Sequence, residues 1–132
     1  NSLYYAEQLV SHPHIREVVV DRDWVFLDQR GTGRSTPSLY CEPHSDWPTQ
    51  VRTCRDQLVT QGVDLSQYNS VAIARDLEAL RVALAVKHWN LWGISYGARL
   101  AVISARTYPA SVRSIILDAG GVPASCQIRS GE

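Results

Sequence analysis

Five consecutive residues, Gly93-Ile94-Ser95-Tyr96-Gly97, spell Gly-x-Ser-x-Gly. A serine hydroxyl is a weak nucleophile until it is held clear of its own backbone and given a base and an oxyanion partner. The motif meets the first need when it sits on a sharp turn between a strand and a helix, the arrangement called a nucleophile elbow. Here the apolar run Asn90-Leu91-Trp92 precedes it, and a helix-forming stretch from Ala98 to Ala105, rich in small residues, follows. The turn strains the backbone of Ser95, so its neighbours must be small, and Gly93 and Gly97 permit that. The same geometry lifts the Ser95 hydroxyl above the sheet edge and turns the Tyr96 N–H toward a developing oxyanion.

A nucleophilic serine needs a base within hydrogen-bond reach. The chain offers His12, His14, His44 and His88. His88 opens the strand that carries Ser95 and so belongs at its opposite end. His12 and His14 follow the first helix, on the far side. His44, in a long loop above the carboxyl edge, is the one histidine placed to approach Ser95 as a base. The reading against it is that a lone loop histidine is merely solvated.

These residues need elements to hold them. Leu3 to Val10 reads as an amphipathic helix ending near His12-Pro13. Trp24-Val25-Phe26-Leu27 has the short apolar character of a buried parallel strand, and Asp28 to Ser35 forms a loop punctuated by Gly31 and Gly33. Thr36 to Pro48 carries three prolines and reads as irregular. A helix over Thr49 to Gln61 stops at Gly62. Asn69 or Ser70 caps the next, whose Ile73, Leu77, Leu80 and Leu84 recur at helical spacing. The strand from Trp89 to Trp92, the elbow, a helix to about Tyr108 and a strand from Val112 to Leu117 complete the order. Trp89 and Trp92 are expected in the core. Alternating strands and helices imply an α/β fold, a parallel sheet covered on both faces with ligands at the carboxyl ends of its strands. From Ala119 the sequence turns rich in Gly, Ser and Pro, so a core over 1–122 and a flexible tail over 123–132 are expected.

Composition narrows the partners. Thirteen basic and thirteen acidic residues balance, which gives no electrostatic footprint for nucleic acid or an anionic membrane. No apolar run approaches spanning length. Cys41, Cys54 and Cys126 lack metal-ligand spacing, so no metal is expected, and no motif calls for a cofactor. A Cys41–Cys54 bridge would place the protein outside the cytoplasm; three free thiols are an equal alternative.

Taken in order, Asp28-Gln29-Arg30-Gly31-Thr32-Gly33-Arg34-Ser35, the helix segment Asp76 to Arg81, Trp89 to Gly97, and Ile115-Ile116-Leu117-Asp118 resemble the α/β-hydrolases. The nearest subgroup is the serine peptidases of the proline iminopeptidase and tripeptidyl-aminopeptidase type, and the resemblance covers about residues 1–122. It implies Ser95 as nucleophile and Tyr96 N–H as one oxyanion donor. It also implies that Asp28 and Arg30 organise their loop by hydrogen bonds and a salt bridge. Members of the group carry a His-Gly-Gly-Pro-Gly-like oxyanion loop after their third strand, upstream of the region matched here, and an acid and a histidine after it. The expectation is therefore a partial fold, a short, mostly parallel sheet flanked by helices without the N-terminal strands and the C-terminal triad segments.

That leaves three readings. The first is part of a serine hydrolase, inactive alone and acting on a small acyl or peptide substrate once completed. The second is a hydrolase-shaped domain that works by binding or self-association. The third is a minimal enzyme with an improvised base. Omitting the family's central strand leaves unpaired backbone groups in the sheet. A second copy or a complementing chain is expected to fill that slot.

Overall fold

A computed structural model describes residues 2–13, 17, 21–42 and 46–120. The chain divides into two compact units, one up to Ser66 and one from Gln67.

In the first unit, α1 (Ser2–Ser11) forms where the sequence predicts it, with none of its residues fully buried. Helix α2 (Trp47–Thr60) starts two residues earlier than expected. Asp46 caps it by accepting from Thr49 N–H at 3.0 Å, and Pro48 sits in the first turn, where a missing N–H removes no helical bond. Its end is a Schellman closure. Gly62, at φ +80°, takes the left-handed position; Val63 N–H reaches Leu58 C=O and Gly62 N–H reaches Val59 C=O. Leu58 and Val63, the pair this closure brings together, are both buried. Between the helices, a Cys41–Cys54 disulfide ties the end of the glycine loop to α2.

The second unit carries the elbow. Asn69 caps α3 (Ser70–Ala83) through its Oδ1, which accepts from Val71 and Ala72 N–H. Strand β1 (Trp89–Ile94), helix α4 (Tyr96–Thr107) and strand β2 (Val112–Asp118) then form a parallel crossover. Helix α4 lies against α3 and against both strands. Ala72, Ile73 and Ala74 of α3 are buried, as are Ala98, Leu100 and Ala101 of α4. Small side chains there let backbones approach closely, while burying Ile73 and Leu100 stabilises by roughly 1.5–3 kcal/mol each.

Two expectations need correction. Trp24–Leu27 joins no strand among the described residues. Exposure alternates along it, with Trp24 and Phe26 half-buried and stacked at 6.3 Å and Val25 and Leu27 exposed. An apolar run makes a strand only where a neighbour supplies ladder partners. The second correction concerns the sheet faces. Trp89, Leu91 and Gly93 turn inward on β1, whereas Trp92, Ile94 and, on β2, Ile116 remain exposed. The parallel register pairs Trp92 with Ile116, so they share a face, and among the described residues that face is not covered as the sequence suggests. Cys126 and the 123–132 tail lie outside the described residues.

Candidate active site

Ser95 stands at the junction of β1 and α4 with φ +55° and ψ −116°. A non-glycine residue there carries strain of about 1–3 kcal/mol and persists only where its surroundings fix it. One fixture is visible on its N-terminal side: Ser95 N–H donates to the carbonyl of Asp118, the last residue of β2, at 2.8 Å. Ser95 is the N-cap of α4, yet its hydroxyl makes no capping bond. The side chain is therefore presented rather than spent on the helix, beside first-turn N–H groups that carry the positive end of the helix dipole.

Tyr96 is the first residue of α4, and its phenol shares a 2.8 Å hydrogen bond with the Ser70 hydroxyl at the start of α3. The sequence left open whether Asn69 or Ser70 caps α3. Asn69 does, which frees the Ser70 hydroxyl for Tyr96. The two glycines of the motif turn out unequal. A Cβ on Gly93 would collide with the carbonyl of Gly97 and the N–H of Ala98, whereas a Cβ on Gly97 would meet nothing within 4 Å. Gly93 is thus demanded by the fold of the elbow, and Gly97 is not. Gly120, which sequence reasoning passed over, lies so close that a Cβ would strike Ala98. Its place two residues after the strand-end Asp118 was the available signal.

The glycine loop of the first unit is organised by Asp28. One carboxylate oxygen accepts from Ser2 N–H at 2.7 Å, capping α1 from a distance, and the other accepts from Arg34 N–H at 3.0 Å. The Asp28 carbonyl accepts from Ser35 Oγ at 2.6 Å. The Ser2 bond, then the Arg34 bond, hold the carboxyl below its ordinary range, against a smaller opposing effect of burial. Gly33, at φ +54°, leaves room for this carboxylate, which a Cβ would strike. Gly31, at φ +79° and buried, accepts from Leu39 N–H at 2.9 Å. Arg30 is half-buried in the same loop. Asp28 thus acts as a loop organiser.

Among the histidines, His88 immediately precedes β1, so six residues of strand, roughly 20 Å, separate it from Ser95. His12 belongs to the first unit, at the end of α1, where its N–H donates to Gln8 C=O. His14 and His44 lie outside the described residues.

The entry to β1 is fixed by charge. Glu78 and Arg81 pair through two hydrogen bonds of 2.7 and 3.0 Å. The other arm of Arg81 donates to the carbonyls of Val86 and Lys87, just beyond α3. The bonds from Arg81 pull the Glu78 carboxyl below its ordinary range, burial opposes them, and a bond from Ser111 adds to the lowering. Trp89 Nε1 donates to Leu77 C=O at 3.3 Å, seating the first residue of the strand on α3.

Known proteins share this arrangement of sequence. A probable proline iminopeptidase of Streptomyces coelicolor is 32% identical over 93 residues, covering 70% of this chain and 23% of the relative. The putative hydrolase YuaR of Escherichia coli is 30% identical over 106 residues, covering 73% and 21%. The serine protease Hip1 of Mycobacterium tuberculosis is 31% identical over 117 residues, covering 73% and 22%. The chain therefore spans less than a quarter of the length of these relatives. No solved structure gives a significant match. A family model described as alpha/beta hydrolase fold matches residues 2–128. With a parallel strand–turn–helix crossover carrying Gly-x-Ser-x-Gly inside that match, the chain belongs to the α/β hydrolase fold family.

Proposed function

We infer that this chain contributes the nucleophile of a peptidase-type serine hydrolase, with Ser95 as the attacking residue. The observation that carries the reading is the strained Ser95 backbone at φ +55°, with a hydroxyl that caps nothing. Relatives named as a probable proline iminopeptidase and a serine protease support an acyl or small peptide substrate. In this chemistry Ser95 Oγ adds to the acyl carbon while its proton passes to a base. The Tyr96 N–H, at the positive end of α4, stabilises the oxyanion that forms. Collapse breaks the scissile bond, the leaving group takes the proton from the base, and water then releases the acyl group by the same steps.

The base is the part that the second unit does not provide. His88 is at the wrong end of β1, so the histidine comes from elsewhere, whether His44, a further segment or another chain. On their own the 132 residues are expected to turn over weakly at best. β1 pairs with β2 on one side only among the described residues, and its second edge is expected to take a strand from another chain.

The test is labelling with a fluorophosphonate probe read by intact mass, with Ser95→Ala as control. Single-site labelling that the variant abolishes supports an activated Ser95. A folded chain that never labels, even with a complementing segment added, would favour the binding or self-association reading.

A further inference from the structure

Ser95 is strained, and strain of this kind survives only when both sides of the residue are held. On the N-terminal side the hold is the 2.8 Å bond from Ser95 N–H to Asp118 C=O. On the C-terminal side the next residue is Tyr96, and its tie to the rest of the unit is the 2.8 Å bond to Ser70 Oγ, 26 residues away in sequence. We propose that Ser70 is a positioning residue for the nucleophile elbow, clamping Tyr96 so that Ser95 stays in its strained conformation and the Tyr96 N–H keeps its direction. The proposal rests on reading Ser95 as the nucleophile, and adds a residue in α3 to a site otherwise built from β1, α4 and β2.

The anchor is suited to the task. Ser70 is the first residue of a helix already capped by Asn69, whose side chain accepts from Val71 and Ala72 N–H, so the Ser70 hydroxyl is not needed for capping. It stands on a helix seated by Ala72, Ile73 and Ala74, all buried, and so cannot drift when the elbow does. Relaxing Ser95 toward an ordinary backbone conformation would re-aim the start of α4 and move the Tyr96 ring off Ser70. The hydrogen bond opposes that movement directly.

Two amides report the elbow without any chemistry at Ser95: Ser95 N–H, bonded to Asp118, and Ala98 N–H, bonded to Ser95 C=O at 3.1 Å. Hydrogen exchange at these amides would be measured in Ser70→Ala, Tyr96→Phe, the double variant and Ser70→Thr. Each single variant is expected to speed exchange at Ser95 and Ala98 about fivefold, as loss of one net hydrogen bond predicts. Leu100 and Ala101, deeper in α4, should keep their rates. The double variant should be no faster than either single one, and Ser70→Thr, which keeps the hydroxyl, should restore protection. Unchanged exchange at Ser95 and Ala98, acceleration spread evenly along α4, or additive effects of the two changes would each overturn the proposal. Probe labelling of Ser95 in the same variants reads reactivity separately, so failure of the clamp and failure of the nucleophile reading give different results.

Discussion

The backbone of Gly93 lies so close to that of Gly97 that a single added carbon on Gly93 would strike the Gly97 carbonyl. The first glycine of the motif lets strand and helix touch across Ser95. The second faces open space. The motif therefore contains one glycine that builds the elbow and one that leaves room beside it.

Replacing each with alanine separates the two. Gly93→Ala is expected to destabilise the second unit by about 2–4 kcal/mol, because the collision is with backbone that cannot swing away. Gly97→Ala should leave stability unchanged or raise it by up to about 1 kcal/mol, since alanine favours a helix. Urea unfolding of both variants decides this. Equal losses would mean that the open space beside Gly97 is not present in solution.

A left-handed residue ends α3 as well. Ala85 has φ +54°, with Ala85 N–H on Val82 C=O and Val86 N–H on Arg81 C=O, the same closure that Gly62 makes after α2. Alanine there costs about 1–2 kcal/mol relative to an ordinary conformation. Ala85→Gly relieves that and gives part back through a freer unfolded chain. A net gain of about 0.5–1 kcal/mol is expected in thermal or urea unfolding. No gain would mean that the Arg81 bonds to Val86 and Lys87 already fix the turn without help from the backbone.

These helix ends also show what the sequence reveals. The stop after α2 was legible because Gly62 is a glycine. The core of α3 was legible only in part: of Ile73, Leu77, Leu80 and Leu84 at helical spacing, Ile73 is buried while Leu84, at the helix end, is 49% exposed. Helix α4 was legible because Ala98 to Ala105 is a helix-forming stretch rich in small residues. The elbow was legible from Gly93 to Gly97 because local strain selects residue types. Ser70 and Asp118 were not legible as parts of the site. One acts through a hydroxyl 26 residues distant and the other through a main-chain carbonyl, and neither leaves a local pattern. Trp24–Leu27 misled for the complementary reason, since a short apolar run records a tendency to be buried but not whether a neighbouring strand exists.

Two carboxyls among the described residues contribute to the response to acid. Asp28 and Glu78 both have their folded-state pKa lowered, Asp28 chiefly by the Ser2 N–H and Glu78 chiefly by Arg81. A lowered carboxyl contributes stability that is present above its unfolded value, near 4, and lost as pH falls through the folded value. Stability should therefore be flat from neutral pH to about 5 and fall below that. Asp28→Asn and Glu78→Gln should each lower stability at pH 7 and flatten the fall below pH 4. Urea midpoints measured across pH 2–7 test this, and an acid limb as steep in both variants as in the parent would refute it.

The Cys41–Cys54 bridge closes a loop with a sequence separation of 13. Chain-entropy reasoning assigns such a loop about 3 kcal/mol. Intact mass under non-reducing conditions should show the loss of two hydrogens, and thiol titration of the unfolded protein one reactive cysteine, Cys126. The Cys41→Ser, Cys54→Ser double variant should unfold at lower urea, with the loss borne by the unit that ends at Ser66. Three titratable thiols in freshly purified protein would show that the bridge does not form.

β1 is a strand without the usual protections of an edge. Its residues, Trp89-Asn90-Leu91-Trp92-Gly93-Ile94, include no proline and no charge, and among the described residues it is hydrogen-bonded to β2 alone. Beside it, Trp92, Ile94 and Ile116 are 37%, 41% and 59% exposed on one face. Parallel sheets are normally covered on both faces, and an unprotected apolar edge recruits further strands. The isolated chain is therefore expected to associate, its mass by light scattering rising with concentration across the micromolar range. Ile116→Lys, which lays a charge on the open face without touching Ser95 or its ties to Asp118 and Tyr96, should shift the chain toward monomer. A parent chain that stays monomeric at every concentration would show that the edge and the face beside it are protected by some other part of the protein.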